Sequence, residues 1–186
     1  MTTVLALTGS LRKGSFNTAL LRAAKELAPA GLTLDLRTLH GIPVYDGDVE
    51  AEGLPEAVKT LGAAIEAADA LLIATPEYNH SIPGVLKNGL DWVSRPPGSG
   101  SRIFGNKPTA VIGATPGGGG TMRSQDALMH VLRAFGSDLW FGPWMTVSQA
   151  NKLLNAEGEL ADEATREQLR NFLAGFAQFI ASRKHA

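Results

Sequence analysis

Three short, mostly apolar runs, at residues 4–7 (VLAL), 70–74 (ALLIA) and 109–115 (TAVIGAT), are each followed at once by a loop rich in Gly, Ser, Pro or Thr, and then by a helical pattern. This repeated order constrains the fold more than any other feature of the chain. A continuous apolar strand has no polar face to turn to water, so both its faces must be covered, as in a parallel sheet flanked by helices. The helical patterns meet that need. Apolar residues recur at helical spacing over 17–27, 55–67, 85–93, 122–135 and 163–180, the last through Leu169, Phe172, Leu173, Phe176 and Ile180. A weaker strand is expected at 32–36, and a fifth, broken or bent near Gly142 and Pro143, at 139–147. Residues 41–53 and 94–107 are read as irregular, the latter being dense in Pro, Gly and Ser, and residues 182–186 as a frayed end. The predicted class is α/β: a doubly wound, five-stranded parallel sheet with helices on both faces, in one domain spanning 1–186. In such sheets ligands bind beyond the carboxyl ends of the strands, where strand order reverses. The loops after the first, third and fourth strands should meet there.

The first loop, LTGSLRKGSFNTAL, lacks two familiar phosphate motifs. Gly9 is followed by Ser10 and Leu11, which breaks the dinucleotide pattern G-x-G-x-x-G. Gly9 and Gly14 have P-loop spacing, yet Ser15 and Phe16 stand where Lys and Ser/Thr are needed. A monophosphate cradle fits better. Ser10, Ser15, Asn17 and Thr18 offer side-chain donors beside the unpaired N–H groups of a helix start, and Arg12 can close over the anion. Lys13 is expected to point into water. Taken singly, Ser15 or Asn17 also reads as an ordinary helix cap and Arg12 as a surface residue. Five such residues together, directly behind a buried strand, point to a ligand.

In the second loop, TPEYNHSIPG, Pro76 and Pro83 stiffen the backbone, Tyr78 adds a flat surface and Glu77 a charge. A rigid loop with exposed N–H groups and an aromatic suits a planar heterocycle, although Tyr78 also reads as an interface aromatic. His80 invites an acid–base role as histidines often do, but a loop histidine bonded to backbone or solvent explains it more simply. Asn79 and Ser81 fit turn or cap positions. The third loop, TPGGGGTMRS, contains four consecutive glycines, costly to order unless the backbone approaches something closely. Gly117 and Gly118 are its candidate contacts. Arg123, Asp126 and His130 on the next helix form either an inter-subunit polar set or a solvent-facing one.

Composition narrows the chemistry further. The chain has no cysteine, which removes thiolate nucleophiles, disulfides and Cys-ligated metal centres. Neither H-E-x-x-H nor G-x-S-x-G occurs, and the four histidines are scattered. Any reactivity then comes from a bound cofactor that the protein positions. A net charge of −1 gives no reason to expect nucleic-acid or membrane binding. No basic leader and no stretch near the length of a membrane span are seen, so a cytoplasmic location is expected.

The segments LTGSLRKGSFNTAL, TPEYNHSIPGVLKNGLDW and TPGGGGTMRSQDALMHVLRAFG resemble the NADPH-dependent FMN reductase family, in particular its bacterial quinone and chromate reductases. The likeness runs over roughly the first 145 residues and is looser from Asn151 onward. It implies a flavodoxin-like fold with strand order 2-1-3-4-5 and FMN at the strand ends. Ser10, Arg12, Ser15, Phe16, Asn17 and Thr18 would match the phosphate loop. Pro76, Glu77, Tyr78, Asn79 and Ser81 would lie along the flavin ring, and Thr115, Gly117 and Gly118 would complete the site. Members commonly carry serine where Thr115 stands, and the hydroxyl is kept. The resemblance also implies a homodimer or homotetramer with the flavin site near the subunit interface, where Glu77, Tyr78 and Arg123 take part. The implied reaction is ping-pong. NADPH or NADH gives a hydride to FMN and leaves; a quinone, dye, flavin or metal oxyanion then takes its place. No side chain acts as a nucleophile. The rival reading is a flavodoxin-like electron carrier that holds FMN without turning over NAD(P)H, although a carrier should present a strongly acidic docking face. Arg95, Arg102 and Lys107 stand as candidates for the NADPH 2′-phosphate or as solvent-facing cations.

Overall fold

The structure, a computed structural model, describes residues 1–183. Its order is β1 (Thr2–Thr8), α1 (Phe16–Glu26), β2 (Leu32–Arg37), α2 (Gly47–Glu52), α3 (Glu56–Ala67), β3 (Ala70–Ala74) and α4 (Gly84–Ser94). Then follow α5 (Ser99–Phe104), β4 (Pro108–Ala114), α6 (Met122–Ala134), β5 (Asp138–Leu139), β6 (Met145–Val147) and α7 (Glu163–Arg183). All strand pairs are parallel, in the order β2-β1-β3-β4-β5, with β6 also paired to β4. This is the flavodoxin-like arrangement expected from the resemblance.

Alternate residues of the apolar strands enter two separate cores. Val4, Ala6, Leu72 and Ile112 pack with Leu20 of α1 and with Leu169, Leu173 and Phe176 of α7. Leu5, Leu7, Leu71, Ile73 and Val111 face the other way, against Val58, Leu90, Trp92, Phe104, Leu128 and Leu132. The strands are apolar throughout because each is covered twice.

Two segments differ from the sequence reading, and the break expected in the fifth strand near Gly142 and Pro143 is present. Residues 99–104 of the segment read as irregular form α5, started by Gly98 at φ 76° and held by Phe104 stacked on Phe135 at 4.8 Å between ring centroids. Within 41–53, Asp46 accepts the Asp48 N–H and starts the short helix α2, none of whose residues is buried. The fifth strand is two pieces: β5 pairs with the start of β4 (Pro108, Thr109) and β6 with its end (Ile112 to Ala114). Between them the chain leaves the sheet edge around Gly142, where a Cβ would strike the Trp140 ring. Of the expected frayed end, Ser182 and Arg183 belong to α7, and residues 184–186 lie outside the described residues.

Candidate functional site

β1, β3 and β4 end side by side, and the loops that leave them share a cleft. The first loop starts at Gly9, whose N–H continues the sheet by donating to the Ala74 carbonyl at 2.8 Å. A Cβ here would come within 3.0 Å of Leu86 and 3.1 Å of Pro76, so a larger residue would have to push the second loop or α4 aside by a few tenths of an ångström. The chain then turns on itself. Arg12 N–H donates to Ser10 Oγ at 3.3 Å, and Ser15 N–H donates to the Arg12 carbonyl at 3.1 Å. Ser15 caps α1 by accepting the Thr18 N–H at 3.2 Å. That leaves the Phe16 and Asn17 N–H groups, in the first helical turn, without an acceptor inside the helix. The Arg12 guanidinium lies over the Phe16 ring, 4.9 Å from its centroid.

The third loop repeats the hydroxyl device. Thr115 Oγ1 accepts the Gly117 N–H at 3.3 Å. Its backbone is clamped by the end of β6 and the segment after it: Thr115 N–H donates to the Val147 carbonyl, while Ala150 and Gln149 N–H donate to the carbonyls of Thr115 and Gly117, respectively. The hydroxyls of Ser10, Ser15 and Thr115 therefore each accept a local N–H and keep their own proton uncommitted among the described residues. All three line the cleft. A wall with three O–H donors ready and a guanidinium beside them is built for an acceptor-rich anion.

The second loop is a two-residue hairpin turn. Tyr78 and Ser81 exchange N–H···O bonds at 3.0 Å, with Asn79 at φ 49° and His80 at φ 63° between them. Two left-handed residues in sequence make a type I′ turn, a conformation Asn tolerates better than His. The carboxylate of Glu77 fastens this loop to α6 by accepting N–H bonds from Arg123 at 3.0 Å and Ser124 at 3.3 Å. It takes the place of a cap from Thr121, which sits at φ 66° and makes no side-chain cap bond. Ser124 Oγ donates to the Pro76 carbonyl at 2.8 Å as a second tie. Arg123 reaches back to His80 Nδ1 at 2.7 Å, so His80 is bonded to a side chain rather than to backbone.

The cleft has a volume of about 320 Å³, at the lower end of the roughly 300–1,000 Å³ usual for small-molecule sites. Ser10, Arg12, Ser15, Phe16 and Asn17 line it from the first loop, Pro76, Glu77 and Tyr78 from the second, and Thr115 from the third. Ala114 and Pro116, which the sequence did not single out, complete the wall. Thr18, Asn79, Ser81, Gly117 and Gly118 are not on it. Thr18 turns inward, its hydroxyl 3.0 Å from that of Thr8. Asn17 is engaged at both ends of its amide: Nδ2 donates to the Ala114 carbonyl and Oδ1 accepts the Ala114 N–H, each at 2.9 Å. The candidate 2′-phosphate cations are occupied elsewhere. Lys107, half-buried and with its pKa lowered by that burial, donates to the Ala68 and Glu66 carbonyls; Arg102 pairs with Glu66; Arg95 lies over the Tyr45 ring. Asp126 and His130 are exposed on α6.

The chain matches the family model for NADPH-dependent FMN reductase over residues 2–152. It is 44% identical over 177 residues to the NAD(P)H-dependent FMN reductase of Pseudomonas aeruginosa, covering 95% of this chain and 94% of that one. It is 38% identical over 181 residues to the 2-hydroxy-1,4-benzoquinone reductase of a Burkholderia species, covering 97% of each. Its structure is similar to that of the flavoenzyme NAD(P)H:(acceptor) oxidoreductase FerB from Paracoccus denitrificans, with a TM-score of 0.88, 36% identity and coverage of 98% and 99%. The chain belongs to the NADPH-dependent FMN reductase family. It is an FMN-dependent oxidoreductase with NAD(P)H as the hydride donor.

The residues present fit that cofactor. A phosphate monoester offers only acceptors and charge, and the first loop supplies O–H and N–H donors and Arg12. The second loop supplies the stiff backbone and the Tyr78 ring. Among the described residues no helix is long and apolar enough to cross a membrane.

Proposed function

We propose that the FMN phosphate sits among Ser10, Arg12, Ser15 and the start of α1, with the ring laid along Pro76–Tyr78 toward Thr115. The arrangement of the three uncommitted hydroxyl protons around one cleft carries this reading. In it Thr18 and Asn17 hold the loop together, and Asn79 and Ser81 close the hairpin that stiffens Tyr78. Gly117 and Gly118 keep the third loop thin beside the ring. When bound, FMN supplies a two-electron relay between a nicotinamide and a second substrate.

The protein's own part is placement. The stapled loops hold the ring edge at one position, and alignment of reacting partners accounts for much of the rate in such transfers, up to about 7–11 kcal/mol. No side chain forms a covalent bond. The acceptors are quinones first, as the names of the relatives suggest, and then dyes, free flavins and metal oxyanions such as chromate. An open stacking site has few buried polar pairs with which to reject analogues. The enzyme works as a single-domain subunit of a homodimer or homotetramer. The exposed Tyr78 and Arg123 at the cleft mouth support an interface there, Tyr78 having 56% of its surface accessible.

Anaerobic mixing of the FMN-loaded protein with NADPH or NADH, followed by a benzoquinone, tests the reading. Rapid bleaching of the long-wavelength flavin band and its return on adding quinone are expected, with parallel double-reciprocal plots. Flavin that binds yet stays oxidised with both nucleotides would assign the protein to electron carriage instead.

A further inference from the structure

The crest of the first loop, residues 11–14, is exposed and bonded almost wholly to its own neighbours. Among the described residues, one side chain from outside residues 8–18 reaches a backbone group of residues 10–14. It is His40, whose Nε2 lies 3.2 Å from the Leu11 carbonyl oxygen. Its Nδ1 lies 3.1 Å from Thr38 Oγ1. A carbonyl can only accept, so Nε2 carries a hydrogen; in the neutral ring Nδ1 then accepts from the Thr38 hydroxyl. Two bonds thus fix both the tautomer and the plane of the ring. The residue before it, Leu39, is buried at 1% exposure, which anchors the segment that presents the imidazole.

We propose that His40 is a positioning residue for the FMN phosphate, an inference that rests on the cofactor placement above. The Leu11 carbonyl and the Arg12 N–H belong to one trans peptide, in which C=O and N–H point in opposite directions. Holding the carbonyl toward His40 aims the N–H at Ser10 Oγ, where it donates at 3.3 Å. That bond occupies a lone pair of Ser10 and sends its proton into the cleft. The order of transmission is Thr38, His40, the Leu11–Arg12 peptide, Ser10, phosphate. Without the imidazole the peptide is free to rotate, and Ser10 and Arg12 must be ordered at the moment of binding.

The test exploits the two ring nitrogens. In the full-length protein, His40→Gln places an amide donor near the position of Nε2, whereas His40→Asn places its group near Nδ1. FMN binding to the apoprotein is read by quenching of flavin fluorescence, and the unfolding midpoint of each apoprotein is read in urea. His40→Asn and His40→Ala are expected to bind FMN roughly three- to tenfold more weakly, the equivalent of one lost hydrogen bond. His40→Gln should stay within about twofold, a difference too small to count as a lost bond. His40 is exposed, so the apoprotein urea midpoints should shift only slightly, while FMN binding separates the Gln variant from the Asn and Ala variants. Wild-type affinity in His40→Ala, or equal losses in the Gln and Asn variants, overturns the proposal. Wild-type protein that takes up no FMN overturns the cofactor placement itself, and this inference with it.

Discussion

Asn17→Ala separates two roles that one residue can play at a phosphate loop. Its amide pairs with both backbone groups of Ala114, 97 residues away, through two bonds of 2.9 Å. The pairing has a structural cause. Thr75 N–H bonds the Ile112 carbonyl, and Thr115 N–H bonds Val147. Successive residues of a strand face opposite neighbours, so Ala114 faces the β3 side two residues beyond Ile112. β3 has ended by then, its last partner pair being Ala74 with Ile112. The Asn17 amide substitutes for the missing peptide. Asn17 and Ala114 are both buried, at 3% and 4% exposure. Truncation leaves a buried N–H and a buried C=O without partners, each costing about 1–3 kcal/mol, so a loss of about 2–6 kcal/mol is expected. With a urea dependence of about 2 kcal/mol per molar, the apoprotein midpoint should fall by about 1–3 M. Asn17→Asp keeps the acceptor but sets an oxygen against the Ala114 carbonyl, and should lose at least as much. The decisive comparison uses apoprotein. If Asn17→Ala unfolds at the wild-type urea concentration while FMN binds more weakly, Asn17 is a phosphate donor and the staple is unimportant.

Arg12→Ala should weaken FMN binding about tenfold, the low end for a charge-assisted bond because Arg12 is exposed; an unchanged dissociation constant in a fluorescence titration removes Arg12 from the phosphate site. Glu77→Ala removes the acceptor that caps α6 from another loop, and should cost about 1–2 kcal/mol of apoprotein stability in urea; a loss no larger than in Glu77→Gln would show that charge, not capping, matters. His80→Gln should leave turnover within a few fold in steady-state assays, since hydride transfer requires no imidazole; a loss of orders of magnitude refutes that. Asp162 accepts from the Thr165 hydroxyl at 2.6 Å and the Thr165 N–H at 2.9 Å, which hold its carboxyl below the ordinary 3.8. The stability this adds is complete above pH 3.8 and disappears as the pH falls through the lower folded value. The urea midpoint of Asp162→Asn should therefore change less than that of wild type across that acid range, and identical slopes would refute the assignment.

The parts legible in the sequence were those fixed by local pattern. β1, β3 and β4 are apolar without interruption, and the loops carrying Ser10, Tyr78 and Thr115 follow them directly. Strand-end geometry then brings those loops together whatever their side chains do. What stayed hidden depends on distant partners. Nothing near Asn17 indicates Ala114, and nothing near Glu77 indicates that it caps a helix 46 residues later. The one available signal for the latter is negative: Thr121 follows four glycines and offers α6 no side-chain cap. α5 was obscured because Pro96, Pro97 and Gly98 precede it, and such residues mark a helix start as readily as a loop. The interruption of the fifth strand was legible in Gly142 and Pro143, which signal a break but not how far the chain leaves the edge.

The ties among the loops are distributed unevenly, and that distribution bears on selectivity. On the proposed phosphate side the donors are set before any ligand arrives: Asn17 joins α1 to β4, and Ser10 and Ser15 accept bonds that aim their protons. Ordering costs there are met on folding, which favours tight and specific retention of one group. Around the other end the structure offers less. Tyr78 is largely exposed, and a Cβ added at Gly118 or Gly119 would meet nothing within 4 Å. A second substrate at that end would meet flat surface and open glycine backbone rather than fixed buried donors. Discrimination against analogues comes from buried polar groups left unpaired by the wrong ligand, and this side has few to leave. In the proposed placement the same chain would hold its cofactor selectively and accept electron acceptors broadly, because the two demands fall on opposite ends of one cleft.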